Sequence, residues 1–273
     1  MRRKPSALSR ATLFLAVLAF AGPFIPLIVA SVSFRWTWPD LLPSAWWWGV
    51  RGEVFRPVAW DFVFSSALGA GGALLNTVGV ALAVTLLATL LCLPAARVIA
   101  TERFPGRSAL EFFLLTPLIV PEIAIGLGML VLFIQLGLAG SFVGIIAAHL
   151  IPVIPYAMRV LISAFQNLGQ EVEAQARTLG ASPRQVALYV TLPLILPGLA
   201  ASALFAFLIS SNLFLLTFYV GRGQVETLPT LLFSKLAGGG ALDPVGAGLA
   251  LLASVPGVVL LVILERFNSG TRE

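Results

Sequence analysis

The chain has few charged residues, one cysteine and one histidine. Charged side chains make up 11% of its 273 residues, and 59% are hydrophobic. Soluble domains carry about 25% charged residues, and 11% is too little to cover a water-exposed surface. The sequence therefore predicts an integral membrane protein. The single cysteine, Cys92, excludes an internal disulfide framework and a cysteine-based metal cluster. The single His149 indicates a hydrogen bond between helices rather than a metal site or a catalytic base.

Lysine is almost missing as well. Neither Lys4 nor Lys235 stands in the Gly-Lys-Ser/Thr context that a Walker A phosphate loop requires. We therefore expect no ATPase site, no enzymatic activity and no cofactor in this chain. The 17 basic residues exceed the 12 acidic ones, but they lie between apolar runs, where they set membrane topology rather than bind nucleic acid.

Six apolar runs are long enough to cross a bilayer as helices, which takes about 20 residues each. They cover roughly 11–33, 72–96, 109–134, 142–162, 193–220 and 245–264. If the amino terminus is inside, most basic residues fall in inner segments, as the positive-inside rule demands. The first run also resembles a signal peptide, but its apolar part exceeds the usual length of about 7 to 15 residues. The prediction is an all-α membrane protein with six transmembrane helices and both termini in the cytoplasm.

The predicted organisation has three parts. Residues 1–71 hold the first transmembrane helix and an outer loop, residues 72–264 hold five further helices, and residues 265–273 form a cytoplasmic tail. The outer loop contains all the tryptophans. They settle at the headgroup level or form a docking surface for an external protein, and the two interpretations are compatible. These residues are Trp36, Trp38, Trp46, Trp47, Trp48 and Trp60.

One long polar segment, residues 167–192, interrupts the apolar sequence on the predicted cytoplasmic side. Residues 167–179 favour a helix, and Gly180 suits the position just after it, where φ is positive. Ser182 is a good N-cap for a second helix, with Pro183 at its first position and Gln185 at its third. The pattern predicts a helix, a glycine turn and a second helix that runs into the fifth span. The alternative is a cytoplasmic loop that only connects two helices, but such a loop has no need for ordered capping.

The segment resembles a cytoplasmic motif of the inner-membrane permeases of binding-protein-dependent ABC importers, which have the type I importer fold. That motif reads Glu-Ala-Ala, three residues, Gly, nine residues, then Ile-x-Leu-Pro. Gly180 matches the glycine, Val190 takes the Ile place, and Leu192 and Pro193 supply Leu-Pro. The first part departs from the motif, because its places hold Ala174-Gln175-Ala176 and the nearest carboxylate, Glu173, lies one residue earlier.

The resemblance extends over residues 72 to about 264. The stretches "NTVGVALAVTLLATLLCLPAA" (76–96), "LTPLIVPEIAIGLGMLVLF" (115–133) and "LPTLLFSKL…DPVGAGLALL" (228–252) are similar to permeases of polyamine, ferric iron, aminoalkylphosphonate and thiamine-type systems. The tryptophan-rich loop lies outside it.

The resemblance implies a bacterial or archaeal inner-membrane importer subunit. In that family the polar segment is a coupling helix between helices 4 and 5 that enters a groove of a separate ATPase. The implied partners are two ATPase subunits that carry ATP and Mg, a second permease that is a different chain by analogy, and an external solute-binding protein. The implied coupling residues are Glu171, Glu173, Ala174, Ala176, Arg177, Gly180, Ala181, Ser182 and Pro183.

Three polar residues inside the apolar runs are candidates for the transport pathway. Glu122 follows Pro121 in the third run, and an intramembrane carboxylate usually faces a bundle interior or a water-filled cavity. It lines a pathway for a cationic solute, or it pairs with a freed backbone amide or with the second permease. Ser211 and Asn212, predicted midway along the fifth run, bond across helices or face the solute. Acidic residues typical of polyamine permeases are missing near them.

Two other functional classes compete with an importer subunit. A stand-alone secondary transporter or channel would need several intramembrane charges, and Glu122 is nearly the only one. An intramembrane serine hydrolase would need a membrane serine paired with a histidine. The lone His149 and the cytoplasmic place of the sequence Gly180-Ala181-Ser182 argue against it.

Overall fold

A computed structural model describes residues 7–36, 40–46, 59–65, 67–237 and 243–270, and these residues are mostly helical. The elements, in chain order, are α1 (Ala7–Ala21), α2 (Phe24–Ser31), β1 (Ser33–Arg35), β2 (Ala45–Trp46), α3 (Ala59–Val63), α4 (Ala70–Thr101), α5 (Arg107–Leu115), a 3₁₀ turn (Thr116–Leu118), α6 (Glu122–Gln135), α7 (Phe142–Leu168), α8 (Gln170–Thr178), α9 (Pro183–Gln185), a π-helical segment (Val186–Thr191), α10 (Leu192–Asn212), α11 (Leu215–Gly221), α12 (Leu228–Ala237) and α13 (Pro244–Gly270).

Besides its helices, the described part of the chain contains one small sheet, in the tryptophan-rich loop. Strands β1 and β2 pair antiparallel, with Ser33 opposite Trp46. Ser44 strengthens the hairpin, since both its backbone N–H and its hydroxyl donate to the carbonyl of Arg35. Trp38, Trp47 and Trp48 lie outside the described residues, so the choice between an interfacial belt and a docking surface stays a prediction.

Four described helices are long and apolar enough to cross a membrane, and there are up to six spans if each of two bent helix pairs counts as one. The first pair, residues 12–21 and 24–31, bends by 42° around the sequence Gly22-Pro23. The predicted third span is not one straight helix. It breaks into residues 107–118 and 122–135 at an angle of 93°, with Pro117 and Pro121 at the break. Proline removes a backbone donor and excludes the carbonyl four residues earlier, which favours such a break.

The predicted fifth span also differs from expectation. Its helix, α10, ends at Asn212, Leu213 is extended with ψ of 99°, and the chain resumes as α11 at Leu215. At its other end, α10 continues without interruption from α9 and the π-helical segment, so one helical stretch covers residues 183–212. The π-helical segment ends at Thr191, two residues before Pro193, whose ring excludes the backbone carbonyl four residues earlier, inside this segment.

The chain divides into two compact units, residues 1–73 with 231–254 and residues 74–230 with 255–273. In the first unit, Lys235 of α12 lies 3.3 Å from the carboxylate of Asp243 and 5.8 Å from the ring centre of Phe62. Gly248 packs against Val63, so α3 rests on the start of α13.

The second unit has two apolar clusters built around α7. One contains Val84, Ile145, Val153 and Leu216, and the other contains Cys92, Ile99, Leu161 and Ile195. Helix α10 lies close against α7, because a Cβ at Gly198 would overlap the side chain of Ala164. These clusters fix α7 between α4, α10 and α11, and the polar groups described below depend on that arrangement.

Candidate functional site

The polar segment folds into an elbow, a name used here for residues 170–191. The predicted first helix at 167–179 is shorter than expected, because α7 continues to Leu168 and α8 begins at Gln170. Gly169 separates them with φ of 71° and ψ of 158°, a conformation that glycine adopts readily. Within α8, Glu171 lies in the first turn and Arg177 in the last, the arrangement that the helix dipole favours.

The turn of the elbow is a complete Schellman motif. Gly180 has φ of 89°, its N–H donates to the carbonyl of Arg177 over 3.0 Å, and the N–H of Ala181 donates to that of Ala176 over 3.1 Å. The next turn starts with a capping box. The N–H of Ser182 donates to Gln185 Oε1 over 2.8 Å, and the N–H of Gln185 donates to Ser182 Oγ over 3.4 Å. The predicted Gly180 turn and Ser182 cap are therefore present.

Glu173 connects α8 to α4 and to the helical stretch 183–212. Its Oε2 accepts a hydrogen bond from Arg97 Nη2 of α4 over 2.9 Å, and its Oε1 accepts one from Thr191 Oγ1 over 2.6 Å. Arg177 lies 3.6 Å away on the same helix. Only 14% of the Glu173 side chain is exposed, so both bonds are partly shielded from water. A cavity of about 480 Å³ beside this contact is lined by Arg97, Thr101, Glu173 and Arg177, among others.

The remaining elbow residues lie mostly at the surface. Glu171, Ala174, Arg177, Gly180, Ser182 and Pro183 are exposed, whereas Ala176 and Ala181 are half-buried. A Cβ at Gly180 would meet no atom within 4 Å. Leu179, which sequence reasoning missed, is 89% exposed beside this glycine. The signal for it was a large apolar residue at a glycine turn in an otherwise polar stretch.

Glu122 does not project into the middle of a straight span. It begins α6, directly after the break at Pro121, and is half-buried. Its carboxylate faces the backbone N–H of Leu216, in the first turn of α11. Glu122 thus lies at one of the free amides of that helix start, and the choice between a backbone partner and a pathway role stays a prediction.

Ser211 and Asn212 lie at the end of α10 rather than midway along a span, because the helix breaks at Leu213. Ser211 is 6% exposed and donates to the carbonyl of Leu208 over 3.1 Å. Asn212 Nδ2 donates to the same carbonyl over 2.8 Å, yet its side chain is exposed. Of the two candidates, Asn212 is the accessible one.

His149 makes the interhelical hydrogen bonds predicted for it. Its Nε2 lies 2.9 Å from Thr217 Oγ1 on α11, and its Nδ1 lies 3.0 Å from Ser210 Oγ on α10. Thr217 donates its own proton to the carbonyl of Leu213 over 2.8 Å, so its oxygen accepts from Nε2–H. Nδ1 is then the acceptor for Ser210, which assigns the Nε2–H tautomer. His149 therefore links α7 by hydrogen bonds to both helices that meet at the α10–α11 break, α10 through Ser210 and α11 through Thr217.

A mostly helical chain with several membrane-length helices and a capped polar elbow has the architecture of a multi-pass membrane protein. The family described as "binding-protein-dependent transport system inner membrane component" matches residues 93–273. The chain belongs to this family, the permeases of binding-protein-dependent ABC importers with the type I fold.

Curated relatives and a solved structure agree with this assignment. The chain is 34% identical over 207 residues to the molybdenum transport system permease protein ModB of Mycobacterium bovis, covering 70% of this chain and 76% of ModB. It is 28% identical over 246 residues to the putrescine transport system permease protein PotI of Escherichia coli K12, covering 86% of this chain and 83% of PotI.

The fold also matches a chain in the crystal structure of a bacterial ABC transporter involved in the import of the acidic polysaccharide alginate. The TM-score is 0.71 at 17% identity, with 95% of each chain covered. This likeness concerns the fold.

Proposed function

We propose that this chain is one transmembrane subunit of an ATP-driven importer and that its elbow docks on a separate ATPase. It forms half of the pathway for a small solute delivered by an external binding protein. Two ATPase subunits supply ATP and Mg, and a second permease, a different chain, supplies the other half. The family assignment supports this proposal, since the chain is the membrane component of a binding-protein-dependent system.

The proposed topology has six spans with both termini in the cytoplasm of a bacterium or archaeon. The two bent helix pairs count as one span each, and α4, α7, the stretch 183–212 and α13 supply the other four. Residues 1–71 add the first span and the outer loop to a permease core at 72–264, and 265–273 form the tail. This arrangement brings the elbow, between the fourth and fifth spans, to the cytoplasmic side.

The observation that carries the docking proposal is the division of the elbow into an anchored and an open side. Glu173 holds it to α4 through Arg97 and ties its two halves together through Thr191. On the open side, Gly180 has empty space around it and Leu179 is almost fully exposed. An exposed large apolar residue on a rigid turn is suited to a pocket in another protein. Displacing such an elbow would tilt α10, which is continuous with it.

The test replaces Gly180 by valine in the assembled importer and compares it with Gly106→Val. Gly106 is a matched control, because it has φ of 88° and its Cβ would also meet no atom within 4 Å. Both variants introduce the same backbone strain, of order 1–2 kcal/mol for a non-glycine residue in the left-handed region. We expect Gly180→Val to insert normally but to lose uptake and ATPase coupling, whereas Gly106→Val keeps both.

The measurements are solute uptake into vesicles, ATP hydrolysis stimulated by the binding protein, and the amount of ATPase that co-purifies. Normal uptake with Gly180→Val, or an equal loss with Gly106→Val, would contradict the docking role. The remaining coupling candidates are Glu171, Ala174, Ala176, Arg177, Ala181, Ser182 and Pro183. We propose pathway roles for Ser211 and Asn212, and for Glu122 a pathway role is the alternative to a backbone partner.

A further inference from the structure

Between residues 144 and 168, the exposed surface of α7 is polar, whereas α4 and the first part of α10 expose apolar side chains. Between residues 144 and 168 of α7, the exposed side chains are Tyr156, Arg159, Ser163, Gln166 and Asn167. This set is called the α7 stripe below. Its successive spacings of three, four, three and one residues place all five on one helix face. The opposite face of α7 is buried and apolar, with Val153, Leu161 and Phe165 among its residues.

Neighbouring helices show what a lipid-facing surface of this chain looks like. The exposed residues of α4 between 74 and 98 are apolar, including Leu82, Leu86 and Leu90. Those of α10 between 192 and 205 are likewise leucine, proline and phenylalanine. Polar and charged side chains inside a membrane are costly against lipid and normally face a water-filled cavity or a protein partner. The α7 stripe is therefore not a lipid-facing surface.

Open space lies on both sides of the stripe. A cavity of about 340 Å³ is lined by Arg159, Ser163 and Gln166 of α7 together with Glu111 and Leu114 of α5. A second one of about 360 Å³ is lined by Arg159, Ser163 and Asn167 together with Gly198 of α10. Arg159 and Ser163 line both cavities. The stripe therefore separates two cavities that are large enough to hold water.

The charge on the stripe has one sign. Arg159 is its only ionised side chain, and the remaining four members offer hydroxyl and amide groups. The nearby carboxylate of Glu111 is paired with Arg107 over 2.8 Å and is thereby neutralised. A passage along this face attracts oxygen-rich anions and repels cations.

We propose that the α7 stripe lines the inner half of the translocation pathway and that Arg159 makes this half selective for anionic solutes. This proposal deepens the importer assignment and rests on the inner position of residues 156–167 in it. The stripe then forms the water-exposed lining along which the solute leaves toward the cytoplasm.

The test measures thiol labelling of single-cysteine variants in the assembled importer, in inside-out membrane vesicles. The probes are two membrane-impermeant methanethiosulfonates, one with an anionic sulfonatoethyl group and one with a cationic trimethylammonioethyl group. Ser163→Cys reports on the stripe. Leu196→Cys is the lipid-facing control at the same depth, since its neighbour Gly198 lies against Ala164. The parent chain is the blank, because Cys92 is only 1% exposed.

We expect Ser163→Cys to be labelled at least about tenfold faster than Leu196→Cys, because a charged reagent must leave water to reach a lipid-facing thiol. The anionic probe should react faster than the cationic one. Adding Arg159→Gln should lower the anionic-to-cationic rate ratio several-fold, and Arg159→Lys should preserve it.

Two results would overturn the proposal. Equal slow labelling of Ser163→Cys and Leu196→Cys would mean that the stripe faces lipid or is covered by the second permease. Fast labelling with a rate ratio that is unchanged by Arg159→Gln would refute the anion selectivity. Neither result depends on the Gly180→Val comparison, so failure of the pathway and failure of ATPase docking are distinguishable.

Discussion

The carboxylate of Glu173 joins Arg97, 76 residues earlier in the chain, over 2.9 Å, and thereby ties the elbow to α4. Its other oxygen is bound by Thr191 at the base of α10. One side chain thus holds three helical elements together. We infer that Glu173 positions the elbow within its own chain, while the surface around Leu179 and Gly180 remains open to a partner.

The first prediction concerns this Glu173–Arg97 pair. Glu173→Gln and Arg97→Gln should each weaken binding-protein-stimulated ATP hydrolysis about fivefold or more, within the usual range of coupling between sites. The double variant should lose no more ATP hydrolysis than the more impaired of the two single variants, because both changes remove the same bond. The ATPase should still co-purify. Additive losses, or loss of the ATPase, would indicate that Glu173 contacts the partner directly.

The pair Arg107–Glu111 supplies the control for that cycle. It is an i,i+4 pair within α5, 2.8 Å apart and partly exposed on both sides. Breaking it with Arg107→Gln should change stability by only about 0.3–0.5 kcal/mol and leave coupling unchanged.

The second prediction concerns His149. Thr217→Val keeps the shape of the side chain but leaves the Nε2–H of His149 unpaired in a buried site. The expected loss is about 1–3 kcal/mol in the free energy of unfolding. Thr217→Ser keeps the oxygen and should lose clearly less. Thermal unfolding in detergent measures both variants, and equal melting temperatures for them would contradict the assigned tautomer and acceptor.

The third prediction separates the two roles considered for Glu122. Its bond to the N–H of Leu216 needs an acceptor but no charge. Glu122→Gln should therefore keep the stability and the uptake of the parent chain, while Glu122→Ala should lose about 1–2 kcal/mol, as for a lost helix cap. If Glu122→Gln is as stable as the parent but fails in uptake, the carboxylate acts on the solute instead.

The fourth prediction concerns the contact between α7 and α10. A methyl group at Gly198 would overlap the side chain of Ala164, so Gly198→Ala should destabilise the protein by about 1–3 kcal/mol. Gly79→Ala is the control, since a Cβ there meets no atom within 4 Å in the interior of α4. That change should be neutral or stabilise by about 0.4–1 kcal/mol. Thermal melting should therefore show a lower melting temperature for Gly198→Ala and an unchanged or higher one for Gly79→Ala.

The features predicted well from the sequence depend on neighbours within a few residues. The Schellman turn at Gly180 and the capping box of Ser182 and Gln185 are local patterns, and each is present. The partners of Glu173 lie 76 and 18 residues away, and no local pattern indicates them. The family motif did not indicate these partners either, because the carboxylate of this chain, Glu173, lies one residue before the motif position.

The breaks in the spans were missed for a different reason. Prolines are tolerated in membrane helices, so Pro117 and Pro121 alone do not distinguish a mild kink from the 93° bend. The α7 stripe was missed because the predicted fourth span stopped at residue 162. Ser163 and Gln166 then fell between this span and the polar segment at 167–192, which began at Asn167, although α7 continues to Leu168.

The break after Asn212 determines how far a displacement of the elbow can travel. Beyond it, α11 is fastened to α6 through Glu122 and to α7 through His149 and Thr217. We therefore expect Leu213 and Phe214 to act as a hinge about which the helical stretch 183–212 moves. The largest excursions would occur near the elbow and the smallest near Asn212, so the outer side of the protein can stay still while its inner side opens.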